Sequence, residues 1–380
     1  MHNFPFTNID VLDLASRLAS SPILPKQEDI DARFGQPPVT LYRTERFYIA
    51  LLYWSDSTTA IHEHDFQGAF RVVAGSSVHS SWEFVKKEEV SSRLLVGSVT
   101  RTSSEFLDAG EVRPILPGAQ GAHALFHLER PSATLVVRTH SDPGASLQYS
   151  YIPPSLALQQ PSVAPSVRRR IQLLRLLRRE SEGHLRESVR RFVKSDDIVT
   201  LTILMLQLAA MGLDDDFMSE ILNSIVRTHG HVGEAIRQSA LERRNDLNLM
   251  KLRYRLQDDG RLALALILSG LDKRRVLDAL DAKYGQYDAM RASRAICEAL
   301  KCIDDVKGSE LLPEIIFRLL QGQTTCEVTA HFKGQDVVAI EEIIGGLVDS
   351  PVLGKFLGIG ANQGIDVLDT GKDGQSAPIT

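Results

Sequence analysis

His62-Glu63-His64 is the stretch of this 380-residue chain whose residue types and spacing best suit chemistry. Imidazole nitrogens bind divalent metals, and the apolar flanks at Ala60-Ile61 and Phe70–Val73 read as strands. Side chains on a strand alternate between faces, so a spacing of two puts both rings on one face, where they can approach one ion. Asp65–Gly68 reads as a turn and Gly75 as the end of the return strand, which makes a hairpin. By itself such a pair also suits a solvated strand face. An ion needs a third ligand from another strand, because two side chains on one strand cannot surround it. His123 is the best candidate: it opens a predicted strand just after the turn signals Pro117-Gly118 and Gly121. His127, four residues on, shares its strand parity and reads as a ligand, a hydrogen-bonding neighbour of one, or a satisfied core histidine. His79 and His229 read as outside the set.

The order H-x-H, a following glycine and a G-to-P-G segment ending in one histidine resembles the two motifs of the cupin superfamily of small β-barrels. Within it the chain most resembles the cysteine dioxygenase, or thiol dioxygenase, family. Tyr42-Arg43-Thr44 is similar to that family's Y-R segment, the run from Trp54 to His64 to its W…I-H-D-H strand, and His123–His127 to its H-R-V-x-N. The resemblance covers roughly residues 10 to 145. It implies that His62, His64 and His123 bind one Fe(II), or another divalent metal, through neutral imidazoles, leaving positions for a chelating substrate and dioxygen. It also implies that Arg43 holds a substrate carboxylate. The chain departs from the family in three places. Gly68, Ala69 and Phe70 stand near the cysteine that cross-links to tyrosine, so no such link can form. The last strand offers Arg138 and His140 in place of the family's His and Tyr, which makes Arg43, Arg138 and His140 the candidate catalytic residues. Gln67 lies where many cupins supply a carboxylate ligand; a neutral amide is a poor one, so three histidines alone are expected.

Elements of known character must position these residues. Asn8 ahead of Ile9, Val11, Leu12, Leu14 and Leu18 predicts a short amphipathic helix ending at Ser20. Arg46–Trp54 is almost uninterrupted apolar material, as in a strand covered on both faces. Val78–Phe84, Leu94–Thr102, Gly110–Leu116, Ala122–Leu128 and Ala133–Thr139 come next as short strands, which suits a sandwich or barrel. A Pro/Ser-rich link at residues 159–165 marks a boundary. Beyond it Ser166–Val193, Ile198–Met211, Asp214–Thr228, Val232–Arg244 and six further segments read as helices. The expectation is a two-domain protein, β then α: a cupin-type metal-binding β-barrel over 1–158 and an irregular all-helical bundle domain over 166–358. The tail at 359–380 is expected to be disordered.

Composition sets the remaining bounds. A net charge of -5 gives no general attraction to nucleic acid or an anionic membrane, and 43% hydrophobic residues suffice for ordinary globular cores. The start of the chain lacks a basic segment followed by an apolar core, and no stretch nears eighteen uninterrupted apolar residues, so a cytoplasmic protein is expected. Cys297, Cys302 and Cys326 show no C-x-x-C spacing and read as reduced packing residues. Arg168–Arg170, Arg175, Arg178, Arg179, Arg186, Arg190, Arg191 and Lys194 make the first long helix basic. It suits RNA, an acidic carrier protein or a leader peptide, or else a solvated helix laced by Glu180, Glu182 and Glu187. His229 and His231 read as a turn between helices, and residues 327–332 as a lone strand or connector. Two functions fit these residues. One is a mononuclear non-haem iron oxygenase acting on dioxygen and a small anionic, amino-acid-like substrate. The other is a non-catalytic metal- or ligand-binding cupin whose helical domain meets a partner, with homo-oligomerisation left open in both.

Overall fold

In the computed structural model the described residues are 10–28, 35–54, 59–129, 131–141, 148–159, 163–195, 197–252 and, further on, 263, 266–267, 271, 273–284, 289–300, 311–332, 337–349, 356–357 and 359. Helix α1 (Val11–Ser20) is capped by Asp10, whose carboxylate accepts from the Leu12 and Asp13 amides, satisfying two of the donors a helix start leaves open. The cap is therefore two residues later than the predicted Asn8, which lies outside the described residues. The predicted tail at 359–380 lies almost wholly outside them, as does most of the predicted helix at 261–269.

Eleven strands are described after α1: β1 (Pro38–Arg43), β2 (Phe47–Trp54), β3 (Ile61–His62), β4 (Gly68–Ala74), β5 (Ser77–Ser91), β6 (Leu94–Leu107), β7 (Val112–Ile115), β8 (His123–His127), β9 (Ser132–Thr139), β10 (Tyr149–Ile152) and β11 (Leu156–Gln159). One sheet runs β1-β2-β9-β4-β7, and the other runs β10-β11-β6-β5-β8-β3, with β3 pairing back onto β10. The first half is thus β-rich, and the described elements after β11 are helices. β5 and β6 are much longer than the segments predicted for them, 15 and 14 residues in one antiparallel hairpin whose register shifts three times. The second half of β5 carries Lys86, Lys87 and Glu89 among apolar positions, so that composition alone ends this strand too early.

Helices α2 (Pro165–Glu180) and α3 (Glu182–Ser195) replace the single long helix predicted from Ser166. Extended backbone at Ser181 breaks it, and the Ser181 carbonyl accepts the first turn of α3 from Leu185. α4 (Ile198–Ala209) is apolar on all sides, as expected of a helix inside a core, and α5 (Asp215–Leu252) is kinked at Gly230, whose positive φ of 55° is a conformation that favours glycine. The basic side chains of α2 and α3 are laced by acidic ones: Arg190 pairs with Glu220, Arg191 with Glu187, and Arg186 with both Glu182 and Asp214.

A single hydrophobic core crosses the point where the Pro/Ser-rich link was expected to separate two domains. Leu94, Val96, Ile152 and Leu156 of the β half pack with Ile171, Leu185, Leu204, Phe217 and Ile236 of the helices. Two compact units are distinguished, Met1–Leu256 and Gln257–Thr380. In the second unit, α6 (Lys273–Tyr284), α7 (Ala289–Leu300), α8 (Leu312–Leu320), α9 (Thr325–His331) and α10 (Val337–Asp349) are described. Residues 325–331 are helical rather than a strand because Thr324 and Glu327 form a reciprocal capping box. Cys297 is buried as a packing residue should be, whereas Cys326 is exposed.

The shared core generates a prediction. Leu156 is fully buried on β11, and Leu156→Ala should cost about 2–5 kcal/mol. Because α4 draws on the same core, the protection of its amides against hydrogen exchange should fall together with that of β10 and β11. Loss of protection confined to the strands would show that the two halves fold separately.

Candidate metal centre

The three histidines come together because of strand register. His62 of β3 lies directly opposite His123 of β8, and His64 stands two residues after His62, held by a bridge to Pro117 and by the Gly118 amide on its carbonyl. Phe66 lies against His64 and Phe70 against His123, and both phenylalanines belong to one apolar cluster with Val136. Their ligand nitrogens all lie within 4.8 Å of one another, with His62 and His123 buried and His64 partly so.

The hydrogen bonds decide which nitrogens are available. His62 Nδ1 is 2.7 Å from the Ala60 carbonyl, which can only accept, so Nδ1 carries the proton and Nε2 keeps its lone pair. His64 Nε2 and His123 Nε2 face each other at 3.2 Å. Two nitrogens bound to one ion at ~2.1 Å and at right angles stand about 3 Å apart, so this spacing fits a shared metal. Imidazoles suit iron, zinc, copper and nickel alike, so the donor set leaves the ion's identity open.

Burial keeps the set neutral. Desolvation is the largest cause of the shift for all three: it pulls His62 down to about 4 and His64 to about 2, helped for His64 by the neighbouring His62 and by Arg138. His123 is held well below the usual imidazole range by burial and by the other three histidines around it. No proton therefore has to leave the folded site at neutral pH before an ion can bind.

Around this triad the structure sorts the other predicted residues. Arg138 is the nearby cation: its guanidinium carbon is 3.2 Å from the centroid of Phe66, and the Phe66 ring is 4.4 Å from that of His64. Gly68 makes this approach possible, since a β-carbon there would stand 2.3 Å from the Val137 carbonyl oxygen and 2.9 Å from the Arg138 α-carbon. Arg43, expected from the resemblance to hold a carboxylate, is ion-paired with Glu28. His140 Nε2 donates to the Thr44 carbonyl at 2.8 Å, and its ring lies 5.4 Å from that of Tyr48. His127 is a core histidine, stacked on Trp54 at 4.3 Å with Nδ1 2.9 Å from the Ser77 hydroxyl. Gln67 is exposed, and its backbone pairs with Thr139.

Two neighbours escaped the sequence. His79, read there as a bystander, brings Nε2 to 3.3 Å from His123 Nδ1 and Nδ1 to 2.9 Å from Glu105. Glu63, between the two ligand histidines, points the opposite way. It is buried, accepts from the Tyr149 amide and at 2.5 Å from the Tyr151 hydroxyl, and burial raises its carboxyl above the usual range. Strand alternation could have signalled that Glu63 faces away from the histidines; nothing in the pattern pointed to its tyrosine partner.

No protein-family model matches the chain, and no curated protein does. Solved structures do. The chain is similar to a cupin-2 domain protein from Shewanella frigidimarina, at 14% identity over 35% of this chain and 94% of that one, with a TM-score of 0.21. It is also similar to the DMSP lyase DddQ from Ruegeria pomeroyi (14% identity, 37% and 78% covered, TM-score 0.22). A recombinant oxalate oxidase solved with glycolate is a third such structure (19% identity, 33% and 60% covered, TM-score 0.21). Cupin and double-stranded β-helix proteins are among the similar structures. Among the described residues no helix is long and apolar enough to cross a membrane.

Neutral burial has a measurable consequence. The folded histidines titrate below their ordinary value of 6.5, so under acid the unfolded chain binds more protons and stability must rise with pH. Metal-free protein should lose stability as pH falls from about 6.5 through about 4, and His64→Gln should flatten that slope. Urea midpoints across this window check it; equal slopes in both proteins would contradict the burial argument.

Proposed function

We propose that the chain is a mononuclear non-haem metal oxygenase in which His62, His64 and His123 hold Fe(II) and a small anion is the substrate. The observation that carries this reading is the convergence of three neutral imidazole donors on one point with no described carboxylate among them. A divalent ion held by neutral ligands keeps its full charge, which favours an anionic, chelating substrate. Such an ion supplies Lewis acidity and, as iron, redox chemistry with dioxygen.

The chain's own residues supply the rest. Phe66 and Phe70 wall the triad with apolar surface and so restrict water on that side. Arg138 places a guanidinium fork beside His64, where it can pair with two oxygens of a carboxylate in one plane. Its place beside His64 favours Arg138 over Arg43 as the clamp in this reading. His140, engaged with the Thr44 carbonyl, orders the chain after β9 beside Arg138. The resemblance to thiol dioxygenases makes amino-acid-like thiols the first substrates to try.

Two outcomes test the reading. Chain purified without added metal should contain close to one equivalent of iron, and His62→Ala, His64→Ala or His123→Ala should each remove it; full occupancy in the His123 variant would refute the assignment. With iron bound, oxygen uptake should be stimulated by a member of a panel of small thiols and amino acids. Arg138→Met should then weaken substrate binding by about 1.5–3 kcal/mol, the value of a hydrogen bond to a charged group. Arg43→Met should leave binding unchanged. Iron binding without any substrate-dependent uptake would favour the metal- or ligand-sensing alternative.

A further inference from the structure

His79 and Glu105 form a chain of hydrogen bonds leading to the outer nitrogen of one proposed ligand. Glu105 takes two hydrogen bonds from Arg113, Nε at 2.8 Å and Nη2 at 2.7 Å, and this pairing is the main reason its carboxyl is pulled down to about 2. An ionised carboxylate only accepts, so the His79 nitrogen 2.9 Å away, Nδ1, must carry the proton. A neutral imidazole has one proton, so His79 Nε2 is then an acceptor. Its partner at 3.3 Å, His123 Nδ1, must therefore be a donor. With Nδ1 protonated, His123 Nε2 keeps its lone pair, and that is the atom facing His64 across 3.2 Å.

The reverse arrangement places two lone pairs in opposition at Glu105 and His79, inside a site where His79 and His123 are both buried. An uncompensated polar clash there is costly. The rings have little freedom to escape it: Phe70 packs edge-on against both, with centroids 5.7 Å from His79 and 6.3 Å from His123. Ser77 and Ser81 of β5 pair with His127 and His123 of β8, so the strand carrying His79 is itself fixed against the ligand strand.

We propose that the Arg113–Glu105–His79 chain is a positioning device that locks His123 in its Nδ1–H form and so presents Nε2 to the metal. It rests on the proposed metal site, but the tautomer itself can be read without metal. A hydrogen-bonded carboxylate or similar group behind a ligand histidine typically governs metal affinity by 10–100-fold.

Nitrogen-15 NMR of the imidazoles in the full, metal-free chain, at neutral pH, reads the tautomer directly. Wild type should show His123 protonated at Nδ1. His79→Phe should lose that preference, and His79→Gln, whose side-chain oxygen can accept from His123, should restore it. Glu105→Gln, which can donate as well as accept, should give a mixture and serves if a His79 variant does not fold. In parallel, affinity for Co(II) should fall 10–100-fold in His79→Phe and recover in His79→Gln. An Nε2–H form in wild type, or an unchanged Nδ1–H form in both His79→Phe and Glu105→Gln, overturns the proposal. Unchanged Co(II) affinity in a variant whose tautomer has shifted overturns its role in metal binding. Wild type that shows the expected tautomer yet binds no Co(II) refutes the metal site while leaving the lock established.

Discussion

Neutral imidazole in a buried place is the constraint on which the rest of this structure depends. Four histidines, His62, His64, His79 and His123, crowd the gap between two sheets with ring centroids about 5 Å apart along the series. Were they charged, their repulsion and desolvation would push the sheets apart; neutral, each must still satisfy two different ring nitrogens. The surroundings answer nitrogen by nitrogen. A backbone carbonyl takes His62 Nδ1, the Glu105–His79 chain takes His123 Nδ1, and His64 Nε2 and His123 Nε2 face each other.

The framework answers that need. β3 is only two residues long, yet it pairs with β8 on one side and β10 on the other, so the short ligand strand is clamped between neighbours. Behind it Glu63 ties the same segment to Tyr149 and Tyr151. Across the gap, Gly68 lets β4 and β9 close tightly enough to bring Arg138 over Phe66. The helices α2–α5 complete the support by continuing the core that begins at Leu94 and Leu156. A site of this kind works through small distances, and each of these contacts limits how far a ligand ring can drift.

Much of the site was legible in the residues because strand alternation is a strict rule. A spacing of two puts His62 and His64 on one face, the need for a ligand from a second strand points to His123, and both pairs of observations meet in the structure. Arg138 was reachable from its place in the last strand of the resembled family. His79 and Glu105 were not, since they face each other through the β5–β6 hairpin, whose three register shifts defeat counting back from the turn at Ser92-Arg93. The ion pair of Arg43 was hidden for a similar reason. Its partner Glu28 is distant in sequence, in a segment without regular structure, and only folding brings them together. The β-then-helix order was plain from texture, but a Pro/Ser-rich stretch does not reveal whether a hydrophobic core continues past it. Here it does, and the apolar residues of α4 are its centre.

The central claim is that one ion binds three imidazoles and no carboxylate of this chain. X-ray absorption at the iron edge of the loaded protein counts those ligands directly. The account predicts three imidazole nitrogens at about 2.1 Å, with their outer-ring scattering, and exchangeable light atoms filling the remaining positions. A spectrum with fewer than three imidazoles, or one with a protein carboxylate that persists when exchangeable ligands are displaced, would contradict it.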